Sequence, residues 1–172
     1  MRPRTRQGEG TVRPEKLRAC GEGVVIEPGA VILHPENVSL GDYVYVGHYA
    51  VLNGYHTGEL VCGAGTWIGQ HCLLHGAGGL TLGAEVGVGP GCRILTSTHA
   101  DPGPGEPIMR GALELAPVSI GDGSDLGCNA VILPGVTIGR RVQVGAGAVV
   151  RVDLPDDCLA AGVPARVVGR RR

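Results

Sequence analysis

Through residues 120–150 an aliphatic side chain recurs at every sixth position: Ile120, Leu126, Ile132, Ile138, Val144 and Val150. Four residues after each of the first five comes a small or β-branched residue, at Ser124, Ala130, Val136, Val142 and Ala148. A period of six is neither that of a helix nor that of a simple alternating strand. Self-similarity at a short fixed period marks a solenoid, in which each repeat buries its apolar side against its neighbours. Three six-residue sides close a triangular coil of eighteen residues. The pattern predicts an all-β chain, a left-handed parallel β-helix of hexapeptide repeats. Gly121, Gly127, Gly139 and Gly145 each follow an aliphatic knob and are expected at corners with positive φ.

The same lattice can be followed backwards with interruptions. It opens at Ile26 and Ile32, slips by two near Pro35-Glu-Asn37, and resumes at Leu40, Val46 and Leu52. A break over residues 54–60 precedes Cys62, Ile68 and Leu74, and a slip near Gly78-Gly79 precedes Leu82, Val88 and Ile94. Each slip predicts a loop leaving a corner. The largest gap separates Ile94 from Ile120, and its Pro102, Pro104, Pro107, Pro117, Gly103, Gly105 and Gly111 predict an extended excursion over 97–117. Loops of this length in a compact domain are usually functional. The expected organisation is a cap segment over 1–22, with one or two helical turns in Pro14-Glu-Lys-Leu-Arg-Ala-Cys20. A β-helix over 23–155 and a tail over 156–172, packed on the final coils, complete it.

Composition agrees with a narrow prism: 31 Gly, 12 Pro and no Phe leave little that would need a wide core. A net charge of −1 gives no electrostatic case for nucleic acid, and the arginines near the two ends are expected to be solvated. The basic start has no apolar run behind it, so neither a signal peptide nor a membrane span is expected, and the location follows as cytoplasmic. Of six Cys, Cys62, Cys72 and Cys92 fall on inward lattice positions, where Cys acts as a small hydrophobe. No spacing matches a zinc motif, and reduced thiols are expected.

Thr96-Ser-Thr-His99 stands where the lattice ends and the excursion begins, so His99 is the candidate catalytic base. An imidazole with an ordinary pKa near ~6.5 can accept a proton at neutral pH and return it to a leaving group. The competing reading of His99 is a solvated loop histidine.

The motifs around it resemble the hexapeptide-repeat acyltransferases, and within them the galactoside, maltose and nodulation-factor O-acetyltransferase group. Ile94-Leu-Thr-Ser-Thr-His99, Ile132-Leu-Pro-Gly-Val-Thr-Ile-Gly139, Val144-Gly-Ala-Gly-Ala-Val-Val150 and Ala161-Gly-Val-Pro-Ala-Arg166-Val-Val carry the resemblance over roughly residues 80–168. It implies a homotrimer with acetyl-CoA in grooves between neighbouring prisms and direct acetyl transfer to a hydroxyl of a small-molecule acceptor, a sugar. His99 would act as base and a backbone N–H would hold the developing oxyanion. The resemblance puts Gly127, Cys128 and Ala146 beside the pantetheine arm and Arg151 and Arg166 toward the nucleotide. A guanidinium can bind phosphate bidentately, although Arg166 could instead pair with Asp156 or Asp157. Cys128 has no adjacent His in sequence, and direct transfer needs no acyl-enzyme and no metal.

The chain departs from the family pattern in two places. Asp125 stands where a Trp is usual, and His71 and Gly76 align with acceptor-side Asn and Asp. His71 and His75 are therefore candidate acceptor-binding residues. The pair His71-Cys-Leu-Leu-His75 also raises a zinc-dependent hydratase resembling the γ-class carbonic anhydrases, which share the fold. Its four-residue spacing differs from the five-residue pair of that class. A non-catalytic scaffold is a third reading that the repeats alone do not remove. Tyr43, Tyr45, Tyr49, Tyr55 and Trp67 cluster in the first half as an acceptor groove or as interface packing.

Overall fold

A computed structural model describes residues 13–171. Its chain winds as a triangular β-solenoid with three faces of parallel strands. The first face stacks Ala19–Cys20, Val38–Leu40, Leu60–Cys62, Leu80–Leu82, Val118–Ile120 and Thr137–Ile138. The second stacks Val25–Ile26, Tyr45–Val46, Trp67–Ile68, Gly87–Val88, Asp125–Leu126, Gln143–Val144 and Cys158–Gly162. The third stacks Val31–Leu33, Val51–Asn53, Leu73–His75, Arg93–Ile94, Val131–Ile132 and Val149–Val150. This is the parallel β-helix that the six-residue period predicts.

The period becomes structure through register. Ile120 lies on Ile138 and Leu126 on Val144, eighteen residues apart, so each knob buries itself on the knob of the next coil. Leu126, Ile132 and Val150 are fully buried, and the second lattice from Ser124 to Ala148 fills the corners between them. Burial of each Leu or Ile contributes about 1.5–3 kcal/mol, repeated coil after coil. Ser124 is the polar exception: its Oγ donates to the Gly139 carbonyl at 2.8 Å and accepts from the Val142 N–H at 3.0 Å, joining two coils.

The glycines that follow the knobs correct the sequence expectation. Gly121, Gly127, Gly139 and Gly145 do not have positive φ; that conformation falls two residues later, at Gly123, Asn129, Arg141 and Gly147. The glycine after the knob is required by close approach instead. A Cβ on Gly121 would lie 2.7 Å from the Arg140 nitrogen, and one on Gly127 would lie 2.5 Å from the Ala146 nitrogen.

The solenoid opens earlier than Ile26, at Ala19–Cys20, with Cys20 one hexad before Ile26 and paired to Leu40. The helical turns expected before it reduce to one 3-10 turn, Pro14–Lys16. Residues 1–12 of the expected cap lie outside the described residues. Cys158–Gly162 continues the second face, and Ala165–Arg170 folds back on it antiparallel.

The interruptions share one position. Residues 34–37, 54–59, 76–79 and 95–117 all leave the corner between the third and first faces. The excursion is also ordered: Ser97–His99 pairs antiparallel with Leu113–Leu115, with a 3-10 turn at Ile108–Arg110 between them. One edge of the prism thus carries every irregular segment, stacked coil on coil.

Candidate functional site

The hairpin bearing His99 is anchored at its root. Thr96 is fully buried; its Oγ1 donates to the His75 carbonyl at 2.6 Å and accepts from the Gly78 N–H at 2.9 Å. The returning strand is tied to the same residue, the Ala116 N–H donating to the Thr96 carbonyl at 2.9 Å. Three residues on, His99 is half-buried, with Nδ1 3.3 Å from the Gly111 carbonyl oxygen. A carbonyl can only accept, so in the neutral ring Nδ1 carries the proton and Nε2 keeps its lone pair. That is the tautomer a general base needs.

His75 has the opposite bias. Its Nδ1 is buried with no hydrogen-bond partner, while Nε2 is not enclosed. Leaving an N–H unsatisfied costs about 1–3 kcal/mol, so the proton resides on Nε2 and the ring presents a donor. Burial also pushes its pKa below the ordinary value, which keeps it neutral. The Tyr55 ring meets His75 nearly edge-on at 5.4 Å and touches His56 at 4.4 Å and His34 at 6.4 Å. Tyr55 is held in place because Asn53 Oδ1 accepts its N–H at 2.9 Å and Asn37 Nδ2 donates to its carbonyl at 2.6 Å. A cavity of about 370 Å³ opens at the same corner, lined among others by Arg18, Thr57, Glu59, Gly78 and Leu115. Sequence reasoning missed His34 and His56. Their signal was that both sit in phase slips, which the fold collects on one edge.

His71 lies at the opposite end of the third face. It is exposed and stacks on Tyr49 at 5.3 Å. Four residues of extended chain put it roughly 13 Å from His75 at the usual strand rise. The two imidazoles therefore cannot share a metal ion or one small acceptor group within a chain. Among the described residues no three His, Cys, Asp or Glu side chains converge as metal ligands. The aromatic residues also divide: Tyr55 belongs to the His75 corner, whereas Tyr43, Tyr45, Tyr49 and Trp67 lie on the second face and its two corners.

Gly127, Cys128 and Ala146 do come together, at the corner between the second and third faces. Cys128 and Ala146 are exposed, eighteen residues apart on consecutive coils, and a Cβ on the neighbouring Gly147 would meet nothing within 4 Å. This small-residue corner is open along its length, a shape that fits a linear arm. Arg151 and Arg166 are both exposed. Asp156 and Asp157 pair with Arg140 at 3.0 Å and Arg141 at 2.6 Å, which answers the alternative reading of Arg166. Arg166 itself donates only to the Ala165 carbonyl, at 2.8 Å. All six thiols are unpaired, and burial pushes the Cys62 thiol up to about 12. Within one chain, then, His99 and the Cys128–Ala146 corner occupy different edges of the prism.

The comparisons agree with this architecture. The bacterial transferase hexapeptide family, of six repeats, matches residues 117–151. Nodulation protein L of Rhizobium meliloti is 36% identical over 146 residues, covering 84% of this chain and 69% of that protein. The crystal structure of a hexapeptide-repeat acetyltransferase of Vibrio cholerae complexed with acetyl-CoA is 26% identical at a TM-score of 0.60, covering 92% and 73% of the two chains. That of AntD, an N-acyltransferase from Bacillus cereus, reaches a TM-score of 0.82 at 23% identity, covering 92% and 85%, and shows the shared fold. The chain belongs to the hexapeptide-repeat acyltransferases. Across curated relatives of this kind it spans between 42% and 74% of their length.

Proposed function

We propose that the chain transfers an acetyl group from acetyl-CoA to a hydroxyl of a sugar-type acceptor, with His99 as the general base. The observation that carries the reading is the His99 Nδ1 to Gly111 carbonyl bond, which leaves Nε2 free to accept a proton. Nε2 takes the acceptor hydroxyl proton while the oxygen bonds to the thioester carbonyl carbon. The carbon–sulfur bond then breaks, and His99 returns the proton to the departing sulfur. No acyl-enzyme intervenes. His75 donates its Nε2 proton to an acceptor oxygen, fixing its approach, and His71 belongs to the donor-side corner instead.

Gly127, Cys128 and Ala146 are assigned to the pantetheine arm, and Arg151 and Arg166 to the phosphates of the nucleotide end. Because His99 and this corner lie on different edges, the reading requires a homotrimer that brings one copy's corner to another copy's hairpin. The exposed Ile108, Met109, Leu113 and Leu115 on the excursion suit burial in such an assembly. The assigned location is cytoplasmic; no described helix is long and apolar enough to cross a membrane.

The test is a screen of purified chain with acetyl-CoA against sugars, amino sugars and nucleotide sugars, read by thiol release. Acceptor-dependent release is expected. Release that no acceptor stimulates would reject the reading, and light scattering that shows a stable monomer at micromolar concentration would reject its trimeric site.

A further inference from the structure

On the second face, the outward column runs Val25, Tyr45, Trp67, Gly87, Asp125, Gln143, each residue paired with the next coil. Tyr45 and Trp67 stack almost parallel, 5.7 Å apart with planes 4° from coplanar, so one face of the indole is covered. Above the other face comes Gly87, which has no side chain. The column therefore has a one-residue notch, and consecutive coils are about 4.8 Å apart.

Asp125 leans into that notch. A Cβ built on Gly87 would collide with Asp125 Oδ1, so the carboxylate sits where a side chain at 87 would begin, one coil above Trp67. Among the described residues, the Asp125 side chain forms no hydrogen bond or ion pair. Glu85, two residues before Gly87, leans in the same way over Gly65 and also lacks a partner. At the corner that holds Glu85, Arg140 and Arg141 are engaged with Asp156 and Asp157, and Arg171 donates to the Gly123 and Arg141 carbonyls. The unpaired Asp125 carboxylate, one coil from the indole, gains nothing from the electron-rich ring face. A cation placed between them is attracted by both.

We propose that the Trp67–Gly87–Asp125 notch is a binding site for a protonated amine carried by a small molecule. A single ammonium nitrogen at the rim reaches the indole face and the carboxylate together. Uncharged hydroxyls gain neither the cation–π attraction nor the ion pair, so the notch selects amino sugars over neutral sugars. The choice of a sugar as the carrier rests on the acceptor class proposed above; the ammonium site itself does not.

Trp67 is the one tryptophan of the chain, so its fluorescence reports the notch directly. The wild-type protein is titrated with glucosamine and with glucose below neutral pH, without acetyl-CoA. A saturable change with glucosamine and none with glucose is expected. Asp125→Asn should weaken the glucosamine response about tenfold, on the scale of a lost ion pair reinforced by an aromatic face. Gly87→Leu should abolish it. That substitution has no positive φ to oppose it, and the atom it meets is the mobile end of an exposed side chain. Equal responses to both sugars, no saturable response, or an unchanged response in Asp125→Asn would each overturn the proposal. None of these readouts requires acyl transfer, so the fate of the proposed reaction does not decide them.

Discussion

Gly111→Ala isolates the orientation of His99 from its presence. Gly111 supplies the carbonyl that accepts from His99 Nδ1, and a Cβ there would collide with the Ala100 carbonyl oxygen and lie 3.1 Å from that of Ile108. The obstacle is backbone in both directions, so the hairpin must open and the carbonyl must leave His99. The bond at stake is a neutral one, worth about 0.5–1.5 kcal/mol net. At 1.36 kcal/mol per decade its loss slows transfer about two- to twelvefold. Retaining the imidazole keeps the loss below that of removing it. The hairpin lies outside the stacked faces, so the thermal midpoint should hold. The assay is steady-state thiol release with saturating acetyl-CoA, beside a melting curve and a CoA titration. A turnover equal to wild type with an intact fold would refute the idea that this carbonyl orients the base.

Arg166→Ala should raise KM for acetyl-CoA more than for a 3′-dephospho donor and leave kcat nearly unchanged, since no acid competes for the guanidinium; initial rates with both donors check it. His75→Leu should abolish a pH dependence of stability. Burial holds the His75 pKa below its ordinary 6.5, so the unfolded chain binds the proton first. Its contribution is complete above about pH 6.5 and is lost as pH falls toward the folded value. In urea melts at several pH values between about 5 and 7, wild-type stability should therefore fall toward the acid side and that of the variant should fall less. The same variant should lose acceptor affinity rather than acetyl-CoA affinity.

The period of six was sufficient to read the faces, because one knob per side is all that a triangular coil demands. Leu126 and Ile132 declare their burial in the sequence as clearly as in the structure. What the sequence concealed was which corner each slip occupies. Slips of two, four and twenty residues look unrelated along the chain, yet every one leaves the corner between the third and first faces. His34, Tyr55, His56 and His75 therefore meet although 41 residues separate the first from the last. For the same reason the motif His71-Cys-Leu-Leu-His75 misled: adjacent in sequence, its two rings end at opposite corners. The glycines after the knobs mislead because the sequence does not distinguish a positive φ from a close approach, and only stacking of the next coil makes the second visible. In the sequence Asp125 is only a departure from a family pattern. Its role depends on the empty place at Gly87, 38 residues earlier.

His99→Ala is the most direct measure of the central claim. The substitution removes the base and no buried knob, because His99 lies on the hairpin while the lattice ends at Ile94. Acceptor-dependent thiol release should fall roughly a hundredfold or more, the scale of a lost general base, with melting temperature and acetyl-CoA binding unchanged. Near-normal turnover in a folded His99→Ala protein would contradict the account.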